Sequence, residues 1–508
     1  MISPVEASAR PANEPAGPMP CPGPGRTDGA AGSGRRPLGR GSALWRFVAV
    51  AALLGAVVLL AASVRQYPHR LGILDAELPA IALSIVAVLA LRRAGWNGRT
   101  LAVVVLGGSV LLQIAAASAP PSTSDDSYRY VWDGTVQLAG IDPYRYTPAD
   151  PALERLRDGR LFPADAAQCA GTTFDDGAAC TRLNRPTVRT VYPPVAEAAF
   201  ALMRVASFGG HGGQLPVQLF GAIGALAIGA LLLRRDPIMS ALWAWSPIAA
   251  MECTNNAHID WLAVLLVLGS LAAGGSALAR RTADPAAGAG GRGRSVATGA
   301  LIGLAIAVKL YPALLLPALL IRRGGRAGWL WLVGAASAVV ALSYLPHVLA
   351  VGPDVIGFLP GYLNEEGYQS GRRFGLLDIV LPQGATPVAA VALLAAAAGW
   401  TWWRVARGAD PVPADVAATT LVGIAVLVAA SNYPWYMLLL LALACWSGQW
   451  QWLPVVIAPS ATYLLGQFSS PWVDRGVYLA AVASMAALWF GRTAARPHPN
   501  RESATTDS

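Results

Sequence analysis

LWRFVAVAALLGAVVLLAASV fills residues 44–64, twenty-one positions with a single charge, Arg46. A helix needs about 20 apolar residues to cross the hydrocarbon of a bilayer, because every peptide group must find its partner inside the segment. This run meets that length. Runs of the same kind follow at 76–92, 100–119, 215–233, 258–277, 327–349, 387–406, 415–431 and 474–491, with shorter ones at 237–251, 433–449 and 452–467. The region 295–322 is broken at Lys309-Leu-Tyr-Pro312 and reads as two short helices forming a hairpin. Of 508 residues, 55% are hydrophobic and 13% charged, with a mean hydropathy of +0.46. The prediction is an all-α polytopic membrane protein, a transmembrane helix bundle of about 12–14 spans.

The ends read differently. Residues 1–42 are rich in Pro, Gly, Ala and Arg, with no apolar period, and predict a disordered cytoplasmic tail rather than a signal peptide. The transmembrane domain covers 43–491, with long loops at 120–190 and 350–386, and 492–508 forms a second polar tail. No internal repeat is visible.

Arginine sets the orientation. Of 38 basic residues one is lysine. Arginines cluster at 35–46, 92–99, 234–235, 280–294, 322–326, 404–407 and 492–496. Placing all of them in the cytoplasm gives a consistent alternation of spans, provided 191–207 lies in the interface and does not cross. The net charge of +9 is then a topology signal and not a sign of nucleic-acid binding. The 120–190 and 350–386 loops fall on the outer face with the turns near 255–260, 309, 431–435 and 469–474, which together hold nearly all the unusual polar residues.

Asp125 and Asp126 stand just past the third span. Neighbouring carboxylates oppose each other's ionisation, and a low-dielectric rim adds to this, which suits a general base. A helix start with Ser124 or Asp125 as N-cap is the alternative. Lys309 sits inside an apolar run, where a charge costs ~2.5–3.5 kcal/mol at the helix centre, so it calls for a partner or an anionic substrate, with snorkelling to the headgroups as the plainer reading. Arg372 and Arg373 suit phosphate or a solvated loop. His258 and Asp260 offer half a metal site, a cap or an acceptor contact. Tyr128, Tyr144, Tyr192, Trp435 and Trp472 suit sugar stacking or a membrane aromatic belt. Cys169 and Cys180 are a disulfide candidate if their loop meets an oxidising space. No CxxC, P-loop, GxSxG or HExxH pattern occurs. No cofactor is predicted, and a divalent cation is left open.

Three pieces together, Asp125-Asp-Ser-Tyr-Arg-Tyr-Val-Trp-Asp-Gly134, Gly140-Ile-Asp-Pro-Tyr144 and Asn184-Arg-Pro with Val191-Tyr-Pro-Pro194, resemble bacterial integral-membrane glycosyltransferases of the GT-C superfamily. The nearest group is glycosyltransferase family 87 with the related polyprenol-phosphate-mannose-dependent mannosyltransferases. Gly303-Leu-Ala-Ile-Ala-Val-Lys309-Leu-Tyr-Pro312 is similar to a helix hairpin of that superfamily. The acidic loop here follows the third span, where many superfamily members place it after the first, and two extra leading spans account for this.

The resemblance implies a bacterial plasma-membrane enzyme whose site faces the extracytoplasmic side. It implies sugar transfer, with mannose the sugar by likeness, from a polyprenyl-phosphate donor to a glycan or glycolipid acceptor, with inversion. Asp125 takes the part of the base, and Asp126 orients the acceptor or shares the proton. Lys309 with Arg372, Arg373 or Arg145 neutralises the departing phosphate, and Tyr128, Tyr144, Tyr192, His258, Asp260 and Tyr311 contact substrate. A multi-pass transporter or lipid-linked sugar flippase is the competing class, and predicts midplane broken helices and inverted repeats. A non-catalytic envelope subunit is a third.

Overall fold

The computed structural model describes residues 40–66, 69–164, 174–175, 180–207, 213–275, 288–320, 325–407, 412–466 and 470–494. The chain is an all-α bundle, with 18 helices among the described residues and one small ladder there between β1 (Phe174–Asp175) and β2 (Cys180–Thr181). Both predicted tails fall almost wholly outside the described residues, α1 beginning at Arg40 and the last helix ending at Ala494.

Among the described residues seven helices are long and apolar enough to cross a membrane. They are α1 (Arg40–Ser63), α2 (Arg70–Leu91), α3 (Gly98–Ala116), α6 (Leu215–Leu233), α12 (Gly325–Val351), α14 (Thr386–Arg407) and α18 (Pro471–Ala494). A pair bent by 118°, Pro247–Asn255 with Asp260–Gly274, is apolar enough for a broken span or a re-entrant loop, Asp260–Gly274 being the bulk of α9 (Asp260–Gly275). The expected 12–14 full spans therefore resolve into fewer long helices plus short ones. α15 (Ala414–Ala429), α16 (Met437–Ser447) and α17 (Leu453–Leu465) have 16, 11 and 13 residues. Ten of the eleven residues of α16 are buried. A helix apolar all round belongs in a protein core, and one shielded by neighbours need not match the hydrocarbon thickness.

The outer helices carry the opposite signature. Leu44, Phe47, Leu54 and Val58 of α1, with Leu342, Leu345 and Leu349 of α12, are exposed, as lipid-facing side chains would be. The run around Lys309 breaks where expected, but its hairpin is uneven and not a pair of short helices: the 19-residue α10 (Gly288–Ile306) ends, the chain turns, and a short segment runs through the 3-10 turn Tyr311–Leu315 into the four-residue α11 (Leu316–Leu319). The segment 191–207 forms α5 (Pro194–Ala206), thirteen residues and so about 20 Å long, too short to span. It packs on α4 (Asp126–Leu138), where a Cβ on Gly134 would lie 2.6 Å from the Phe200 carbonyl oxygen.

Polar bonds tie the bundle at both ends. At one end Arg46 Nε donates to Ala94 O at 2.8 Å and Arg235 pairs with Asp415 at 3.2 Å. At the other, Asn255 Nδ2 donates to Ala116 O at 3.0 Å and Tyr463 Oη to Thr123 O at 2.5 Å. That second end carries the polar turns. Close packing of α6 positions one of them, since a Cβ on Gly221 would sit 1.6 Å from the Cys253 carbonyl oxygen. Gly221→Ala is expected to cost about 1–3 kcal/mol or more, read as a lower unfolding midpoint of the detergent-purified protein; an unchanged midpoint would mean that α6 can shift away freely.

Candidate active site

The acidic pair is held by a buried polar turn on a distant part of the chain. Met251–Asn255 forms a single π-helical turn, a local widening often found at functional positions. It presents two asparagines that are fully buried. Asn255 Oδ1 accepts from Ser122 N at 3.0 Å and Ser122 Oγ at 2.6 Å. Asn256 accepts from Thr123 N at 3.2 Å and donates to Thr123 Oγ1 at 2.6 Å. These bonds fix residues 122–123, and with them the start of α4.

Asp125 occupies the N-cap position of α4 but makes no side-chain capping bond. Ser124 Oγ takes that place, accepting from Asp126 N at 3.3 Å. Capping therefore leaves the Asp125 carboxylate unused, and it faces a cavity of about 1010 Å³. Asp126 lines the same cavity, accepting from Asn184 Nδ2 at 2.6 Å. Burial, then the neighbouring charge of Asp126, pushes the Asp125 carboxyl up to about 6, against the opposing pull of Arg70.

Lys309 lines the cavity from the hairpin turn. Its ammonium lies 3.3 Å from Asp260 Oδ2 and over the rings of Tyr192 and Tyr436, 5.1 and 6.0 Å from their centroids. Asp260 is fully buried beneath it and accepts from Tyr311 Oη at 3.0 Å. The lysine is thus held by a partner and by aromatic faces, and does not reach freely for headgroups.

Six cationic side chains line this cavity, namely Arg70, Arg129, Arg185, Arg189, Lys309 and Arg373, against three acidic ones. Five carry a carboxylate partner: Arg129 with Asp133 at 2.9 Å, Arg185 with Glu365 at 2.7 Å, Arg189 with Asp354 at 2.9 Å, Lys309 with Asp260, and Arg373 with Glu366 at 2.6 Å. Among the described residues Arg70 alone of the six has no carboxylate within ion-pair distance, and it lies against the Tyr463 ring. An apolar side of the cavity is built by Leu310 and Leu314 of the hairpin with Val422, Ala425 and Val426 of α15. Charge and grease meet in one chamber.

The predicted residues divide. Asp125, Asp126, Tyr192, Lys309, Tyr311, Arg373 and Trp435 line the cavity. Arg372 is exposed and bonds to Ser370, and Arg145 is bound outside the cavity to Ala350 O. Tyr144 is buried and donates to Tyr192 O at 2.6 Å, so it supports a lining residue without being one. Tyr128 lines a separate cavity of about 410 Å³. His258 and Asp260 are fully buried just behind the wall, and Trp472 is exposed. Cys180 is disulfide-bonded, while Cys169 lies outside the described residues. Among the described residues no three His, Cys, Asp or Glu side chains converge to hold a metal ion.

Sequence reasoning passed over Arg70, Glu366, Tyr433 and Tyr463, and quoted Asn184 and Arg185 without giving them a role; all six line the cavity. Asn184-Arg-Pro carried a signal, since a polar pair before a proline marks an ordered turn. Nothing in the order of residues marks Tyr433, whose hydroxyl donates to Glu366 Oε1 at 2.7 Å. Backbone strain adds a mark visible only in three dimensions. Among the described residues the non-glycine ones with positive φ are Arg185, Ala257 and Ala430, at 50°, 55° and 43°; Arg185 lines the cavity, Ala430 precedes the lining Ser431, and Ala257 precedes His258. Such conformations cost about 1–3 kcal/mol each and gather at functional sites.

The sequence model of glycosyltransferase family 87 matches residues 190–431. No curated protein and no solved structure matches the chain. The matched stretch holds Tyr192, Lys309, Arg373 and Ser431 and leaves the acidic pair, with most of the 120–190 loop that had carried the resemblance read from sequence, well upstream of it. With the family pattern laid over part of the cavity wall and seven apolar helices among the described residues, the chain is similar to glycosyltransferase family 87 over somewhat less than half of its length, consistent with a multi-pass membrane glycosyltransferase of the GT-C superfamily.

Proposed function

We propose that the protein transfers a sugar, mannose in the first instance, from a polyprenyl-phosphate donor to a glycan or glycolipid acceptor at the extracytoplasmic face of a bacterial plasma membrane. One observation carries this reading: a single cavity gathers Asp125, Asp126 and Lys309 beside an apolar wall of Leu310, Leu314, Val422 and Val426. A prenyl chain needs such a wall, a phosphate needs cations, and an attacking hydroxyl needs a base. Asp125 accepts the proton of the acceptor hydroxyl as its oxygen attacks the anomeric carbon. The bond to the phosphate oxygen breaks on the opposite face, so the configuration inverts. Lys309 takes up the charge that develops on the leaving phosphate, where fixed charges in a water-poor site count most. Of the three arginines first named for the phosphate, Arg373 lines the cavity and fills that role, with Arg185 in place of Arg145 and Arg372. Tyr192, Tyr311, Tyr436 and Trp435 offer faces to the sugar. The outward orientation rests on the arginine distribution.

The test is to supply purified protein in vesicles with radiolabelled polyprenyl-phosphate-mannose and a lipid-tailed mannoside acceptor, with and without EDTA. Transfer supports the reading, translocation without transfer supports the flippase, and neither supports a non-catalytic subunit. EDTA sensitivity tests for a divalent cation. A pH series adds a second check. A base raised to about 6 is protonated and idle below that value and ionised above it, so transfer is expected to rise through about pH 6 and level off. A rate flat from pH 5 to 8 would count against Asp125.

A further inference from the structure

Behind the acidic pair lies a group of ionisable side chains that the transfer chemistry above does not use. Glu252 of the π turn is 2% exposed and His258 fully buried. His258 Nδ1 lies 2.9 Å from Glu252 Oε2. Its Nε2 lies 3.0 Å from Ser124 Oγ and 3.7 Å from Asp126 Oδ2. The ring stacks on Trp435, with centroids 4.1 Å apart and planes at 26°, and Trp435 itself lines the cavity. Asn256 Nδ2 completes the set, donating to Glu252 Oε2 at 3.1 Å.

A buried carboxylate needs a counter-charge or a full set of hydrogen bonds. Among the described residues neither Glu252 nor Asp126 has an arginine or lysine within ion-pair distance, and His258 is the titratable group within reach of both. The other charged groups facing this spot are Glu77 of α2, which feels the charge of Glu252, Asp125 with Arg70 on the acidic-loop side, and the Asp260–Lys309 pair on the next turn. The order Glu252, His258, Ser124 has the geometry of a carboxylate–histidine–serine triad. A nucleophilic role for Ser124 fails on electrostatics, because Asp125 and Asp126 follow it directly and repel any anionic intermediate formed there.

We propose that His258, aligned by Glu252, is a positioning residue for the transfer reaction: as an imidazolium it keeps Asp126 ionised and orients Ser124, leaving Asp125 to receive the acceptor's proton. The inference rests on the base assignment above, and its consequences separate from it. Two full-length variants test it, His258→Gln and Glu252→Gln, the latter preserving shape and hydrogen bonding while removing the charge. The direct readout is 15N NMR of histidine-labelled protein in nanodiscs, with the His258 signal assigned by its loss in H258Q. In E252Q the imidazole is expected to give up its proton at least about one pH unit lower than in the wild type, given the Coulomb energy at such distances. The second readout is the pH profile of transfer. Removing a positive charge beside the carboxylates raises the pH at which they ionise, so the acid limb in H258Q is expected to move up by at least about half a unit. The double variant is expected to move it no further, since the two residues act as one unit. A His258 titration unchanged in E252Q, or an acid limb unmoved in a folded H258Q, overturns the proposal. Full activity in Asp125→Asn would instead overturn the base assignment and leave the NMR result standing.

Discussion

Asp125→Asn is expected to lower the rate of transfer about 10²–10⁴-fold while membrane insertion and unfolding midpoint stay those of the wild type. The carboxylate makes no capping bond, and its pKa is raised chiefly by burial and by Asp126, so the amide removes a proton acceptor and takes away no fold contact. Asp126 differs. It accepts from Asn184 and approaches His258, so Asp126→Asn is expected to disturb the 184–190 loop as well as the rate. Single-turnover transfer and thermal unfolding, measured on both variants, separate the two aspartates. An active D125N beside an inactive, well-folded D126N would move the base to Asp126.

Lys309→Met is expected to reduce kcat/KM for the donor about 10²–10³-fold, as removal of a group aimed at developing charge does. The single variant carries a second cost. It leaves Asp260 buried without its cation, which destabilises a protein by about 3–5 kcal/mol, so a dead K309M could simply be unfolded. Lys309→Met combined with Asp260→Asn removes both charges and retains a group near the Tyr311 hydroxyl. The double variant is expected to fold close to the wild type and still to use the donor poorly. Recovery of donor use in the double variant would mean that Lys309 serves only to neutralise Asp260.

Lys309 was readable in the sequence because a lone cation in an apolar run contradicts the cost of placing it there. Its partner was not. Asp260 begins α9 and Lys309 follows the end of α10, and only the packing of those helices brings the charges to 3.3 Å. The two adjacent arginines of the 350–386 loop make the same point. Arg373 turns inward to Glu366 and Ser431, while Arg372 stays exposed. In a helix or strand, neighbours point apart by a known rule, but a loop has no such period. His258 and Asp260, singled out in the sequence as candidate substrate contacts, lie one layer behind the cavity and touch the lining residues Ser124 and Lys309.

The span count shows the limit from the other side. Runs at 415–431, 433–449 and 452–467 have the composition of crossings and fold as helices of 16, 11 and 13 residues, since apolar side chains meet the same demand in a protein core as in lipid.

Sequence by itself determined the solvent, the helical class, the separation of arginine-rich from polar turns, and the acidic pair with its lone lysine. Burial of apolar area and the need to pair every peptide group act on composition and length alone. Tertiary structure decided which of the polar residues share a chamber and which stand behind it. Those choices depend on side-chain direction in irregular backbone and on contacts between segments far apart in the chain, such as Ser124 with His258 and Tyr433 with Glu366, which no local pattern encodes.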